Sequence, residues 1–571
     1  MVENARRRGF CERLMVLLLC LIIVQSNFGI AGSATEQAVV PVDKEMILSA
    51  VMDADIASLR EALDLGLITS EELTSYYLER IEAYNEIYNC FITMCPDALE
   101  TARERDRQMA AGQGQGMLFG IPVVIKDNMD LQGYHTTNGY EKKDSQIADS
   151  TAPVVEALLK QGAVIVGKTN MSTGAMEARD SKSEAVGETM NVYNPYLAAG
   201  GSSGGTAAAV SLNFSAAGLG TDTNSSVRIP AALNGCVALR PTFGLLSASG
   251  IRKLDETKDT PGAITRTVYD QAVMLDVLTG GTQEYVKNLN ADALAGMRIG
   301  ILINLSYPTF LEELRTEKNI DDEVEAAFAN TIQELEACGA ELVPVSVVDI
   351  FPLSRKTLQY TYAKYKEALY VAFQECLTNN GVSAVIFPTY LSKPMHSGVD
   401  AQGKEWDVKN QLWLNNCKYI SPGAGVPEIT VPIGRHSLGA GIGMEIAAPR
   451  NCEQLLLDIA YAYTSRYDHR IVPPDAPDLH AGSDTVTLRQ VVDDYKLALK
   501  QMQLQQEQDA MTQPETPSPE PVEKEQSKHP TVQKYWLFGA LGIVILASLT
   551  ALIVLVVKYR KTMKKERIKT L

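Results

Sequence analysis

From about Val40 to Ala481, stretches with Leu, Ile and Tyr spaced three and four residues apart alternate with short unbroken apolar runs. The spacing predicts helix over Ile56–Tyr84, and the runs Ile121–Ile125, Ala163–Val166, Met297–Ile303 and Ala384–Phe387 predict buried strands. Strands separated by helices imply an α/β fold: one large domain, residues 40–481, with a mixed, largely parallel central sheet covered by helices on both faces. No repeat of fixed period interrupts this alternation.

The ends of the chain follow other patterns. Arg6, Arg7, Arg8 and Arg13 precede an apolar run from Leu14 to Val24, and small residues follow at Ala31–Ala34. Residues 1–34 therefore read as an export signal cleaved near Ala34, the alternative being an uncleaved anchor shorter than the ~20 residues that cross a bilayer. Residues 535–557 are apolar and uncharged, long enough to span a membrane, and seven Lys and Arg follow within 558–571. The positive-inside rule places that tail in the cytoplasm and everything before Tyr535 outside it. Residues 482–534 contain helical spacing over Leu488–Leu504, which suits either a docking helix or the start of a stalk. Gln501–Gln533 is rich in Gln, Glu, Pro, Ser and Thr and reads as a stalk that buries no core.

Composition narrows the function. Of 571 residues 46% are hydrophobic, too many for a disordered chain, and 52 basic against 69 acidic residues leave a net charge of -17. An acidic balance argues against nucleic acid as a partner, since binding it takes Lys and Arg to displace phosphate counterions. Setting aside the net +2 of residues 1–34 and the net +6 of 558–571, the remainder carries -25. Six His and nine Cys without paired CxxC motifs argue against a His-rich metal site, a zinc ribbon or a disulfide-dense scaffold.

Three segments hold the candidate chemistry: Gly120-Ile-Pro-Val-Val-Ile-Lys126-Asp127-Asn128, Gly200-Gly-Ser202-Ser203-Gly-Gly-Thr206, and Gly220-Thr-Asp-Thr-Asn-Ser-Ser226-Val-Arg228. Glycines flanking paired serines admit backbone shapes closed to other residues. In this order the segments resemble the amidase signature family, and the likeness runs on through Asn234–Gly244 and Thr260–Val268, covering about residues 50–465. The resemblance implies an amidase acting on carboxylic amides through an acyl-enzyme, with Ser226 as nucleophile, Ser202 as bridging serine and Lys126 as base. It also implies a cis peptide before Ser202 and oxyanion donors from the backbone of Thr223, Asn224 and Ser225. It implies no metal or organic cofactor. The partner it implies is a small-molecule, lipid or peptide amide substrate; the C-terminal apolar span adds the membrane.

Lysine serves as a base only when neutral, so burial or neighbouring positive charge must lower its pKa, while an inward-pointing Asp127 would oppose this. Where many family members have two glycines before the nucleophile, this chain has Asn224 and Ser225. Side chains there would tilt the oxyanion donors, with Asn224 the better tolerated in left-handed backbone. That departure leaves two alternatives: a surface binding protein with the amidase fold but little activity, and an amidotransferase-type subunit, which the export signal opposes.

Other residues carry less. His135 falls where the family has a structural turn, Cys236 lies in an apolar segment that suits the core, and Asp493 and Asp494 suit a solvated helix face. Cys90 and Cys95 form either a surface disulfide or two buried thiols. Specificity is expected in Asp255–Lys258 and Tyr360–Leu414, where Tyr360, Tyr362, Tyr365 and Tyr370 either line an apolar channel or simply pack.

Overall fold

A computed structural model describes residues 43–303, 320–346, 350, 362–397, 419–480 and 486–512. The export signal (1–34), the apolar span (535–557), the basic tail (558–571) and the stalk beyond 512 lie outside the described residues. Among the described residues, no helix is long and apolar enough to cross a membrane.

Eleven strands form the central sheet: β1 (Phe91–Met94), β2 (Pro122–Lys126), β3 (Val164–Thr169), β4 (Ala217–Asp222), β5 (Val237–Arg240), β6 (Thr260–Thr265), β7 (Arg298–Ile303), β8 (Glu341–Ser346), β9 (Ala384–Pro388), β10 (Glu428–Arg435) and β11 (Gly441–Ala447). Their spatial order is β1-β3-β2-β4-β6-β5-β10-β11-β9-β7-β8. Parallel pairing is confined to β3-β2-β4 and β9-β7-β8; the other six of the ten strand pairs are antiparallel. The sheet is thus mixed, and the expectation of a largely parallel one is corrected. Interior strands such as β4, β6 and β11 are buried along their whole length. Burial of that kind reports cover on both faces and says nothing of strand direction.

The helix expected over Ile56–Tyr84 is two helices, α1 (Ile56–Asp64) and α2 (Ser70–Tyr88). Gly66, at φ 67°, turns the chain out of α1. Thr69 then starts α2: its hydroxyl accepts from the Glu72 N–H while the Glu72 carboxylate accepts from the Thr69 N–H, a reciprocal cap. The apolar spacing persists across the break because both helices pack the same core, which includes Leu59, Leu63, Leu73 and Tyr77 together with Val123 and Ile125 of β2. A second core, around Ile429, Val431, Met444 and Ile446, surrounds the other half of the sheet.

Two helices carry the site. α3 (Gly204–Ser211) follows the paired serines, and α4 (Arg228–Leu233) follows Ser226. Both are buried along their length, and the small residues Gly, Ala and Thr of α3 let it lie close to β4 and β6. Near the C-terminal end, α5 (Leu488–Thr512) docks its first turns through Leu488, Val491 and Val492. Arg489 pairs with Asp55 and Glu61, and Lys496 with Glu61, fixing the start of this helix on α1. Asp493 and Asp494 face solvent.

Candidate active site

β2 and β4 run parallel side by side, with Ile125 opposite Leu219, so Lys126 and Thr221 leave the sheet together at the carboxyl ends of these strands. Ligand crevices form at this end of parallel strands, where the chain departs in loops. Lys126 is fully buried, and its Nζ lies 2.7 Å from Ser202 Oγ, 2.9 Å from Ser203 Oγ and 3.0 Å from Thr221 Oγ1. Burial lowers its pKa from the ordinary 10.5 to about 7, against the opposing pull of Asp222 and Asp259. Asp127, which would oppose it if turned toward Lys126, does not. It turns away into a buried ion pair with Lys168, 3.2 Å apart, and accepts hydrogen bonds from the Thr137 N–H and hydroxyl.

One of the three Lys126 contacts has a fixed sense. The Ser203 hydroxyl donates to the Thr221 carbonyl, so toward Lys126 it accepts. Thr221 Oγ1 accepts from Asn128 Nδ2 at 3.0 Å and from Lys126. A neutral amine has two N–H groups and one lone pair; when Ser203 and Thr221 Oγ1 take the two N–H groups, the lone pair is left for Ser202. Ser203, Thr221 and Asn128 were not singled out from the sequence, although all three stand in the quoted segments, because hydrogen-bond sense is a property of the assembled site.

The loop that presents Ser202 is shaped by close approach. The Gly201–Ser202 peptide is cis. Gly201 donates to the Ala178 carbonyl, and a Cβ at Gly201 would come within 2.0 Å of the Asp180 carbonyl oxygen. Gly201→Ala is therefore expected to lower stability by about 1–3 kcal/mol, the typical range for overpacking, measured by denaturant unfolding. Ser226 joins the same loop through its carbonyl, which accepts from the Ser203 N–H at 3.1 Å. No hydrogen bond links the Ser202 and Ser226 hydroxyls among the described residues; such catalytic contacts commonly tighten when substrate binds.

Thr223, Asn224 and Ser225 form the turn from β4 into α4. Neither Asn224 nor Ser225 has a positive φ, so the turn does not require glycine, and the left-handed conformation weighed from the sequence is not used. Asn224 is exposed and Ser225 is buried. The turn is held from beneath: the Val227 N–H donates to Asp222, and Arg228 Nη2 donates to the Asn224 carbonyl at 3.0 Å. Arg228 also bonds the Asp222 carboxylate and Glu428 and lies 3.6 Å from Glu445, while Arg240 pairs with Asp222. All five side chains are fully buried. Burial pushes Asp222 upward, but Arg228 and Arg240 outweigh it and hold this carboxyl below its ordinary range. Burial raises both Glu428 and Glu445, and for Glu428 its neighbour Glu445 adds to the rise. Two carboxyls on one guanidinium are an arrangement in which one keeps its proton.

The remaining candidates fall elsewhere. His135 Nδ1 bonds Ser145 on a surface hairpin. Cys236 is buried in the core, its thiol pushed up to about 11 by burial. Cys90 and Cys95 are buried free thiols, which excludes the disulfide between them. Tyr370 packs at the edge of the core beneath Arg450, and Tyr365 packs there too. Tyr360 and residues 398–414 lie outside the described residues. The two segments expected to set specificity meet, since Lys366 donates to the Thr257 carbonyl at 2.7 Å. Among the described residues, no three His, Cys, Asp or Glu side chains cluster to hold a metal.

The family model for amidases matches residues 72–358. The A subunit of glutamyl-tRNA(Gln) amidotransferase from Thermosynechococcus vestitus is 36% identical over 49% of this chain, a match spanning little more than half, 58%, of that protein. Its counterpart of the same name from Synechococcus sp. (strain CC9311) is 33% identical over 72% of this chain and 97% of its own length. The solved structure of native peptide amidase from Stenotrophomonas maltophilia covers 74% of this chain and 98% of its own, with a TM-score of 0.59 at 27% identity. By family model, by sequence and by fold, this chain belongs to the amidase family and is an amidase-signature enzyme.

Proposed function

We propose that the protein hydrolyses a carboxylic amide C–N bond through Ser226, Ser202 and Lys126. The observation that carries this reading is the fully buried Lys126 with its Nζ 2.7 Å from Ser202 Oγ. Lys126 Nζ takes the Ser202 proton as Ser202 Oγ takes the Ser226 proton, and Ser226 Oγ bonds to the carbonyl carbon. The oxygen that gains charge is met by backbone N–H groups of the turn at Thr223, Asn224 and Ser225. The C–N bond then breaks, the leaving amine receives the proton back through Ser202, and an ester to Ser226 remains. Water attacks that ester through the same relay and releases the acid.

A panel of primary, fatty and peptide amides tests the proposal. Release of ammonia or amine from at least one of them supports it, and no release from any member of the panel contradicts it. Activity is expected to depend on pH in a defined sense. Lys126 acts unprotonated, so kcat/KM rises with pH, with a midpoint near 7, and levels above it. The same shift links to stability: between about 7 and 10.5 the unfolded chain binds a proton here that the folded chain does not, so this group's contribution to stability rises with pH.

A second reading, favoured by the likeness to amidotransferase subunits, has the site release ammonia from glutamine for use by a partner. Ammonia formed from glutamine but from no other amide would favour it. Exclusion of a catalytic role altogether, as in an inert binding protein, would require that no amide and no serine-directed probe react at Ser226.

We also place the catalytic body outside the cytoplasmic membrane, anchored by residues 535–557 with 558–571 inside. The apolar span, the basic residues after it and the N-terminal signal pattern support this. Protease treatment of intact cells is expected to remove the body and leave the tail; full protection would contradict the placement.

A further inference from the structure

The antiparallel pairing of β4 with β6 sets Thr260 opposite Asp222, so the next residues outward, Asp259 and Thr223, face each other where the strands end. Thr223 Oγ1 and Asp259 Oδ1 lie 2.6 Å apart. The other carboxylate oxygen, Oδ2, accepts from the Leu254 N–H at 2.7 Å and the Asp255 N–H at 3.1 Å, closing the 254–259 loop on itself. That loop is held from two further sides, by Arg240 at the Lys258 carbonyl and by Lys366 at the Thr257 carbonyl. One carboxylate therefore joins a pinned loop to the first residue of the turn that leads to Ser226.

We propose that Asp259 is a positioning residue for the reaction: through Thr223 it orients the backbone N–H groups of the turn that receives the tetrahedral oxygen. This rests on the reading of Ser226 as nucleophile given above. Asp259 has a second effect through its charge. The charged groups acting on Lys126 are Asp222 and Asp259. Asp222 is matched by Arg228 and Arg240, and Asp127, beside Lys126 on its own strand, by Lys168. Near Asp259, Asp255 is paired with Lys258, 3.5 Å apart. The charge of Asp259 thus adds to the proton affinity of Lys126, and among the described residues no guanidinium pairs with it as Arg228 and Arg240 pair with Asp222.

Three variants separate the two effects, assayed for kcat and KM across pH on an amide that the wild type turns over. Asp259→Asn keeps a hydrogen-bonding partner for Thr223, because the hydroxyl can accept from the amide as well as donate. Its kcat on the alkaline plateau is expected within about twofold of wild type, with the acid limb moved to lower pH. Thr223→Val removes the hydroxyl and leaves the charge. Its kcat is expected to fall about 10- to 100-fold, approaching the loss of an oxyanion donor, with KM little changed and the acid limb in place. Asp259→Ala is expected to show both changes. An acid limb unmoved in Asp259→Asn, or full kcat in Thr223→Val, overturns the inference. The catalytic reading itself fails separately, if Ser226→Ala turns over the same amide at the wild-type rate.

Discussion

Replacing Ser226 by alanine is expected to lower amide turnover by about 10⁴-fold or more, as removal of a nucleophile does in other serine hydrolases. Fold and binding should survive, because the Ser226 contact that shapes the site is made by its backbone carbonyl to the Ser203 N–H, which alanine retains. The kinetic signature is a collapse of kcat with the unfolding midpoint unchanged. Ser202→Ala should lose a comparable amount, since it removes the hydroxyl that the proposed relay sets between Lys126 and Ser226. Ser203→Ala differs in kind: it removes one of the two acceptors that direct the Lys126 lone pair, so the base remains but its orientation loosens. A graded series, with Ser226→Ala and Ser202→Ala lowest and Ser203→Ala between them and wild type, follows from this geometry.

The largest effect on stability is expected at Arg228, which touches no substrate. Arg228→Met leaves Asp222, Glu428 and Glu445 buried, with Arg240 still paired to Asp222, and breaking a buried ion pair from one side costs about 3–5 kcal/mol. The sign of the pH dependence follows from Asp222. In the wild type its folded pKa is depressed, so its contribution is present above the unfolded carboxylate pKa and lost as pH falls through the folded one. Without Arg228 that contribution shrinks. The stability gap between variant and wild type should therefore be widest near neutral pH and narrow in acid, measured by urea unfolding at several pH values. Activity should fall too, because the Asn224 carbonyl loses the guanidinium that holds the turn.

Part of the proposed site was legible in the sequence. Lys126, Ser202 and Ser226 stand in segments whose glycines and polar residues mark them, and the fold brings Lys126 against Ser202 and the Ser226 backbone against Ser203. The electrostatics were not legible. Whether Asp127 opposes Lys126 depends on which way a strand-end side chain turns, and the buried Lys168 from β3 decides it. The left-handed backbone weighed at Asn224 is not used, since neither Asn224 nor Ser225 has a positive φ.

Strand direction was likewise hidden. β4 is parallel to β2 on one side and antiparallel to β6 on the other, yet its residues are buried throughout. That same antiparallel register places Asp259 at Thr223, a contact between residues 36 apart that no local pattern announces.

The account turns on a neutral lysine driving Ser226 through Ser202, and labelling with a fluorophosphonate measures that step directly. Peptide mapping by mass spectrometry should find the adduct on Ser226, forming at a rate that rises with pH through about 7 and that falls to background in Lys126→Met. An adduct on another residue, or labelling of Ser226 at a rate indifferent to both pH and the Lys126 substitution, would contradict it.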